Sequence, residues 1–428
     1  MMLAICVALM LMLSRTGSMI SARQRIVQTA DAAAYSAGIW RARVLNTLAY
    51  SNRTIVAQEV AVAQAVTLAA WARYFETLTG HAQWLAIAYP PAGPALSALG
   101  QGAAVAAGLS DQAAAIEVAA RGAPGLGLTA MLEHAQGLLL QSANGFGLSA
   151  VAQEVARAHD PGARAFALSD QGRFAAFVRH YSGPGERDRL REVVLASLDP
   201  FTQGPRDRDI RLPLPSSCAG RSTQLDKWTL WYRKRGRTQL SDDLSSWQAL
   251  DAGSVHDWRG SGLLGLGGCR DRETLPLGWG MASADSSTRP PTPGSTNSVQ
   301  EVATTNPRAV EQAAVQAPSY AYRGLAAVRD LADLSTPFPV SRLAVLALLE
   351  REPSVLDAMR AAIPGAEPNA SSPSMPRRLT ALSSAEVFFR PPPQQGRIEY
   401  ASLFSPFWQV RLVAPDSIEE QEAARYAP

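Results

Sequence analysis

The residues able to do chemistry are few and far apart. Three cysteines (Cys6, Cys218, Cys269) and five histidines (His81, His134, His159, His180, His256) are the groups a metal or nucleophilic site would draw on. Zinc sites need Cys or His pairs at short spacing, so that one loop or turn delivers two donors. Cys218 and Cys269 have no such neighbour and no H-E-x-x-H occurs, so no metal site is expected and the histidines read as surface or helix-end residues. The G-x-S-x-G turn that holds a hydrolase serine is absent. Gly125-Leu126-Gly127-Leu128-Thr129-Ala130 spells G-x-G-x-x-A, but no apolar strand precedes it, and that strand is what aims the motif at a pyrophosphate. The Gly-rich Leu264–Gly268 lacks the Lys-Ser/Thr of a phosphate loop. Asp242-Asp243 would pair with Asp271 or Glu273 only if folding joined them. The expectation is a non-enzymatic chain without cofactor.

Cys218 and Cys269 are the only cysteines outside the N-terminal apolar run, and in an oxidising compartment they can pair. Closing a loop of about fifty residues would add about 4 kcal/mol on the chain-entropy model. Cys6 sits in Leu3-Ala4-Ile5-Cys6, a poor match to a lipobox because Ile5 is large and the apolar run continues past it.

The element that must position everything else is N-terminal. Met1 to Leu13 is uninterrupted apolar sequence. Thirteen helical residues rise about 20 Å against a hydrocarbon core of about 30 Å. Extension to Ile20 reaches about 30 Å and takes in Arg15, which snorkels at low cost near a helix end. No basic residue precedes the run, and the reading preferred here starts the anchor upstream of Met1. Arg15, Arg23 and Arg25 follow it, and the positive-inside rule alone would keep the bulk of the chain cytoplasmic.

A long helix is expected from Ser18 to Leu78. Ile26, Ala30, Ala33, Ala37, Trp40, Val44, Leu48, Ser51, Ile55 and Val62 recur at mostly three- and four-residue steps. No proline occurs between Met1 and Tyr89. Such a helix is about 90 Å long unless it breaks near Gly38. Arg43, Asn46, Tyr50 and Arg53 fall on one polar stripe, read as solvated residues or as a face for a partner helix. Asn52 and Glu59 share another side.

The stretches Gln28–Ala37 (QTADAAAYSA) and Ala42–Gln64 (ARVLNTLAYSNRTIVAQEVAVAQ), following an apolar anchor, resemble the N-terminal region of TadE/TadG-like proteins of bacterial tight-adherence (Flp-type) pilus systems. The ending Tyr400–Leu412 (YASLFSPFWQVRL) is similar to that of longer members. The resemblance implies a single-pass inner-membrane protein with an extracytoplasmic, periplasmic body, partnered by other pilus-assembly or pilin-like subunits. An exported body is therefore the orientation adopted. Some longer relatives carry a von Willebrand A domain with D-x-S-x-S; Asp285-Ser286-Ser287 does not match it.

The 428 residues suffice for two or three domains. With net charge +3 and no basic stripe interleaved with aromatics, nucleic acid is not an expected partner. The densest positive cluster, Arg233-Lys234-Arg235 with Arg237, reads as a solvated hairpin turn. Residues 1–20 read as anchor and 21–199 as an Ala-rich helical stalk, with helices at Ala95–Arg121, Leu128–His159 and Ala163–His180. Residues 200–280 read as β-rich, with Lys227–Arg233 alternating. Residues 281–318 are a linker by composition. Residues 319–428 form a last α/β segment: a helix over Tyr320–Leu334, a strand or helix over Pro339–Leu349, a loop at Pro364–Pro376, and strands at Thr380–Phe389 and Ile398–Val413. The class is α+β. The competing functional classes are an anchored hydrolase built from converging Ser, His and Asp, and a helical sensor or adhesin scaffold.

Overall fold

A computed structural model describes residues 2–82, 90–122, 127–183, 185–260, 268–285, 297–350, 378–392 and 399–426. Helix α1 spans Met2–Ala82, α2 Gly93–Gly122, α3 Leu128–Ser142 and α4 Gly145–His159. Strands β1 (Ala163–Ala167) and β2 (Val178–Tyr181) follow, then α5 (Asp188–Ala196). A meander comprises β3 (Arg208–Pro215), β4 (Thr229–Leu240), β5 (Ser246–Gly260) and β6 (Cys269–Asp285). Two short helices, α6 (Asn297–Thr305) and α7 (Pro307–Val315), lead to β7 (Ser319–Ala321) and β8 (Val328–Leu331). Strands β9 (Val340–Glu350), β10 (Arg378–Phe389) and β11 (Trp408–Val413) and helix α8 (Ser417–Ala424) end the chain. The fold is α+β, with an N-terminal apolar helix and sheets concentrated in the C-terminal half.

Two compact units divide the chain, and neither is contiguous. The first holds Met1–Asn52, Ala135–His180 and Arg329–Pro428; the second holds Arg53–His134 and Tyr181–Val328. The succession of consecutive segments expected from composition does not describe them, because α1 supplies residues to both.

In the first unit, an antiparallel sheet of order β1-β9-β10-β11 lies between helices. On one face Ile26, Ala30, Ala33, Ala34 and Ala37 of α1, with Leu148, Ala152 and Ala156 of α4, pack on Leu343, Val345, Ala347 and Leu349 of β9. On the other, Ala423 of α8 meets Leu168, Ala344 and Leu346. Successive strand residues point to opposite faces, so covering both faces makes β9 read as an unbroken apolar run. That is why its sequence could not be told from a helix. The alanines let α1 approach closely. Gly38 marks the tightest point, where a Cβ would overlap Val410 and crowd Ala385. The helix therefore continues through Gly38 without a break.

In the second unit, the sheet order is β3-β4-β5-β6-β7, antiparallel except for the parallel β6–β7 pair. Val299, Val302, Ala309, Val310 and Ala313 of α6 and α7 pack on Leu250, Ala252 and Met281. From Arg53 onward α1 crosses the sheet at Gly280, where a Cβ would overlap the Ala70 carbonyl and the Tyr74 amide. Thr77 Oγ1 donates to the Trp279 carbonyl at 2.7 Å and accepts from the Trp279 amide at 2.7 Å. A helix side chain thus satisfies a strand's backbone.

Several elements differ from those expected. Ala163–His180 is not one helix: its first residues are β1, paired with β9 (Phe166 opposite Leu346), and the turn at Asp170-Gln171-Gly172 precedes a five-residue helix and β2. Tyr320–Leu334 is not helical: β7 adds to the sheet beside β6, and Gly324 in the left-handed region separates it from β8. The linker reading of 281–318 fails at both ends. Met281–Asp285 completes β6, and 297–315 is α6 and α7, whose few apolar residues recur at helical spacing and are buried. Leu128–His159 is two helices, with Asn144 accepting from the Gly145 amide at the start of α4. Pro364–Pro376 lies outside the described residues.

Candidate membrane anchor and the polar ties of its helix

The first twenty residues of α1, Met2–Ser21, rise about 30 Å, the thickness of a bilayer's hydrocarbon core. Five of their large apolar side chains are exposed: Met10 and Leu13 are 71% and 72% exposed, and Leu9, Met12 and Ile20 are also exposed. The Thr16 hydroxyl donates to the Met12 carbonyl at 2.9 Å, so this polar group is satisfied within the helix. Cys6 is a free, exposed thiol. Coverage begins at Ala22, and by Ile26 the helix is the core of the first unit. Among the described residues α1 is the one helix long and apolar enough to cross a membrane, the property an anchor or a signal sequence requires.

Beyond the anchor, α1 is tied down by polar side chains. Arg41 is 1% exposed. It donates to the carbonyls of Ala143 (3.3 Å) and Arg342 (2.8 Å), to Ser341 Oγ (3.1 Å) and to Asp170 Oδ2 (3.3 Å), and it lies over the Phe174 ring. Desolvation lowers its pKa to about 10, against the pull of Asp170, so the buried cation persists at neutral pH.

The structure divides the stripe Arg43, Asn46, Tyr50 and Arg53. Arg43, Tyr50 and Arg53 are exposed. Asn46 is turned inward, and its amide donates to the Trp408 carbonyl at 3.0 Å and accepts from the Trp408 amide at 2.9 Å. It closes the end of β11 as a neighbouring strand would. Asn52, fully buried, donates to the carbonyls of Arg329 and Leu403, both at 2.7 Å, and accepts from Gln136 Nε2 at 2.8 Å. Asp330 Oδ1 takes the Leu403 amide at 2.8 Å. Leu403 is outside any strand, so side chains satisfy its backbone. Asn46 and Asn52 join α1 to the segment around residues 403–408, and nothing in their spacing announced it.

In the second unit Glu59 is buried. It accepts from the Tyr322 hydroxyl at 2.5 Å and from the Ala326 amide at 3.3 Å, and desolvation pushes its pKa up to about 7. The Arg233–Arg237 cluster is no solvated turn. It lies in the middle of β4, while the hairpin turn falls at 241–245. Lys234 and Arg206 bracket the buried Asp251 at 2.6 and 2.9 Å. Arg233 pairs with Asp271, Arg235 with Asp209, and Arg237 with Asp207. These cations are matched by acids inside the unit. Cys218 and Cys269 form a disulfide that ties the loop after β3 to the start of β6.

The chemistry weighed above takes a definite shape. His81, His134, His159 and His180 are exposed, but His256 is not the surface residue expected. It points inward from β5, with Nε2 2.9 Å from Asn306 Oδ1 and Nδ1 3.3 Å from Asp271 Oδ1. Asp242-Asp243 cannot join Asp271 or Glu273: in the β5–β6 register Ser246 faces Asp285 while His256 faces Glu273, about 30 Å further along the ribbon. Glu273 instead accepts from Ser254 and from the first amides of α7. No group of three potential metal ligands occurs among the described residues. A cavity of about 480 Å³ is lined by Arg41, Asn144, Ser149, Ser169, Asp170 and Tyr426, and its charged wall is the Arg41–Asp170 pair already bonded within the protein. No family model matches the chain, nor does any curated protein or any solved structure.

Proposed function

We propose that this chain is a non-enzymatic structural or assembly component of a bacterial tight-adherence pilus, held in the inner membrane by Met2–Ser21, with its body outside the cytoplasm. The observation that carries the reading is the continuity of α1. One helix begins as an apolar segment of bilayer length, with Leu9, Met10, Met12, Leu13 and Ile20 exposed, and becomes, without a break, the core of a sheet-backed body. A force or a docking event at the anchor is then transmitted to a rigid element. The Cys218–Cys269 disulfide supports an oxidising compartment for the body. The resemblance of Gln28–Gln64 and Tyr400–Leu412 to TadE/TadG-like proteins supplies the pilus. Arg43, Tyr50 and Arg53 are the exposed residues of the stripe offered here as a face for a partner helix, and Asn46 is turned inward.

Topology and piliation test the reading together. A reporter active only outside the cytoplasm, fused after Pro428, should be active and sediment with membranes. Deletion of the gene should abolish tight-adherence pili, and the full chain, but not a chain lacking Met2–Ser21, should restore them. A cytoplasmic body, or normal piliation without the gene, overturns the proposal.

A further inference from the structure

Helix α2 is apolar on the side it shows to solvent. It packs through Ala107, Ala114 and Val118, all buried, and Asp111 ties it to Arg73 and to the Tyr320 hydroxyl. On its outer side Leu99, Val105, Leu109 and Ile116 are 62%, 63%, 62% and 69% exposed. The residues between them are Gly102, Ala106, Gln112, Ala113 and Ala120, and the charged residues between Pro94 and Ala120 are Asp111, paired with Arg73, and Glu117, paired with Arg121. An amphipathic helix lying on a membrane surface carries Lys or Arg along its polar flanks; here the nearest basic residue, Arg121, is bonded to Glu117 and Gln58. A water-facing helix of this length with four large apolar side chains this exposed is a face awaiting cover.

We infer that the cover is α2 of a second copy of this chain, antiparallel, about a two-fold axis near Leu109. The distribution of side-chain size selects that partner and direction. Reversing the strip on itself about Leu109 places Gly102 opposite Ile116, Val105 opposite Ala113 and Leu99 opposite Ala119, so each of these large side chains meets a small one. Close packing of facing elements requires such alternation, and an isologous contact requires self-complementarity. A parallel pairing sets Gly102 against Gly102 and Ile116 against Ile116, leaving a void beside a collision. Glu117, paired with Arg121, falls opposite Gln101 in this arrangement, so no like charges meet. Leu99 to Ala120 rises about 33 Å, and a helix is about 10 Å wide, so the two strips present about 700 Å² of flat area. Specific interfaces start near about 1,000 Å² of accessible surface. The contact is sized for reversible association.

Cysteine cross-linking of the full chain in native membranes tests this. The background is Cys6→Ser, which leaves Cys218 and Cys269 paired. Leu109→Cys should cross-link to itself under mild oxidation. Gly102→Cys and Ile116→Cys should each cross-link poorly alone and well when co-expressed; the outer side of Gly102 is open, so a cysteine fits. Leu109→Glu should reduce the Gly102→Cys to Ile116→Cys product at least tenfold while leaving the far-ultraviolet spectrum unchanged, because Leu109 is solvent-facing in the single chain. Self-cross-linking of Ile116→Cys as strong as that of Leu109→Cys would mean a parallel pair and overturn the inference. So would the absence of any Leu109→Cys dimer, which would assign the strip to another protein. None of these outcomes depends on the pilus assignment.

Discussion

Replacing Asn52 by alanine should cost the first unit more than any single change on the outward stripe of α1. The side chain is buried and fully used: two donors on the Arg329 and Leu403 carbonyls and one acceptor for Gln136. Alanine removes both donors, while Gln136 keeps the Ser51 hydroxyl at 3.0 Å. Each lost bond is worth about 1 kcal/mol net, and a buried carbonyl stripped of its donor adds about 1–3 kcal/mol. The sum, with partial relaxation, is about 3–5 kcal/mol, a large share of the roughly 5–15 kcal/mol that stabilises a domain. For a unit of 150–250 residues that lowers the melting temperature by roughly 6–20 °C. Thermal unfolding of detergent-solubilised full-length protein, followed by circular dichroism, reads this directly. Arg43→Ala, at an exposed site on the same helix, is the control and should move the midpoint by no more than about 2 °C. Asn52→Asp should be at least as damaging as alanine, since it faces two carbonyls with a carboxylate. If Asn52→Ala melts within about 2 °C of wild type, the tie between α1 and the C-terminal segment is not what holds the unit together.

Two further outcomes follow from the second unit. Glu59 is raised by burial from the ordinary carboxylate value of 4.5 to about 7. Between those values the folded protein holds a proton that the unfolded chain has released. The stability linked to this group is therefore complete below about pH 4.5 and is lost as pH rises through 7. The loss amounts to roughly 3 kcal/mol. Glu59→Gln, which keeps the shape of the protonated form, should match wild type near pH 5 and exceed it at pH 8; denaturant midpoints showing no pH-dependent difference would refute the assignment. Removing the disulfide by Cys218→Ser with Cys269→Ser opens a loop of 51 residues and should cost about 4 kcal/mol on the chain-entropy model. Denaturant unfolding with and without reductant measures it, and a reductant-insensitive wild type would show that the pair is not formed in the isolated protein.

What could be read from the chain depended on whether a signal was local. Helix α1 was legible because alanine content, absence of proline and three-four spacing all act within a few turns. The disulfide was legible by elimination, since only two cysteines lay outside the apolar run. Strand β1 was not legible: Ala163–Ala167 carries helix formers, and its strand geometry comes from bonds to β9 nearly two hundred residues away. The helices at 297–315 were hidden in a composition suited to a linker, because small buried residues suffice against Leu250 and Met281. The basic cluster in β4 lost its apparent meaning once Asp207, Asp209, Asp251 and Asp271 arrived from other segments.

The stripe on α1 carries the most instructive difference. Helical spacing tells which residues share a side and is silent on what that side faces. Asn46 and Asn52 were indistinguishable from solvated or partner-facing polar residues, yet both bind backbone near residues 403–408. The α1 stretch that carries Asn46 and Asn52 and the segment around residues 403–408 are thus two halves of one packing arrangement. A helix that must satisfy the backbone at Leu403 and Trp408 needs asparagines at those positions for folding alone. Sequence signals on this helix thus speak first to the architecture of the sheet-backed unit, and recognition of partners is to be sought on exposed side chains: those of Leu9, Met10, Met12, Leu13 and Ile20, Arg43, and the apolar outer residues of α2.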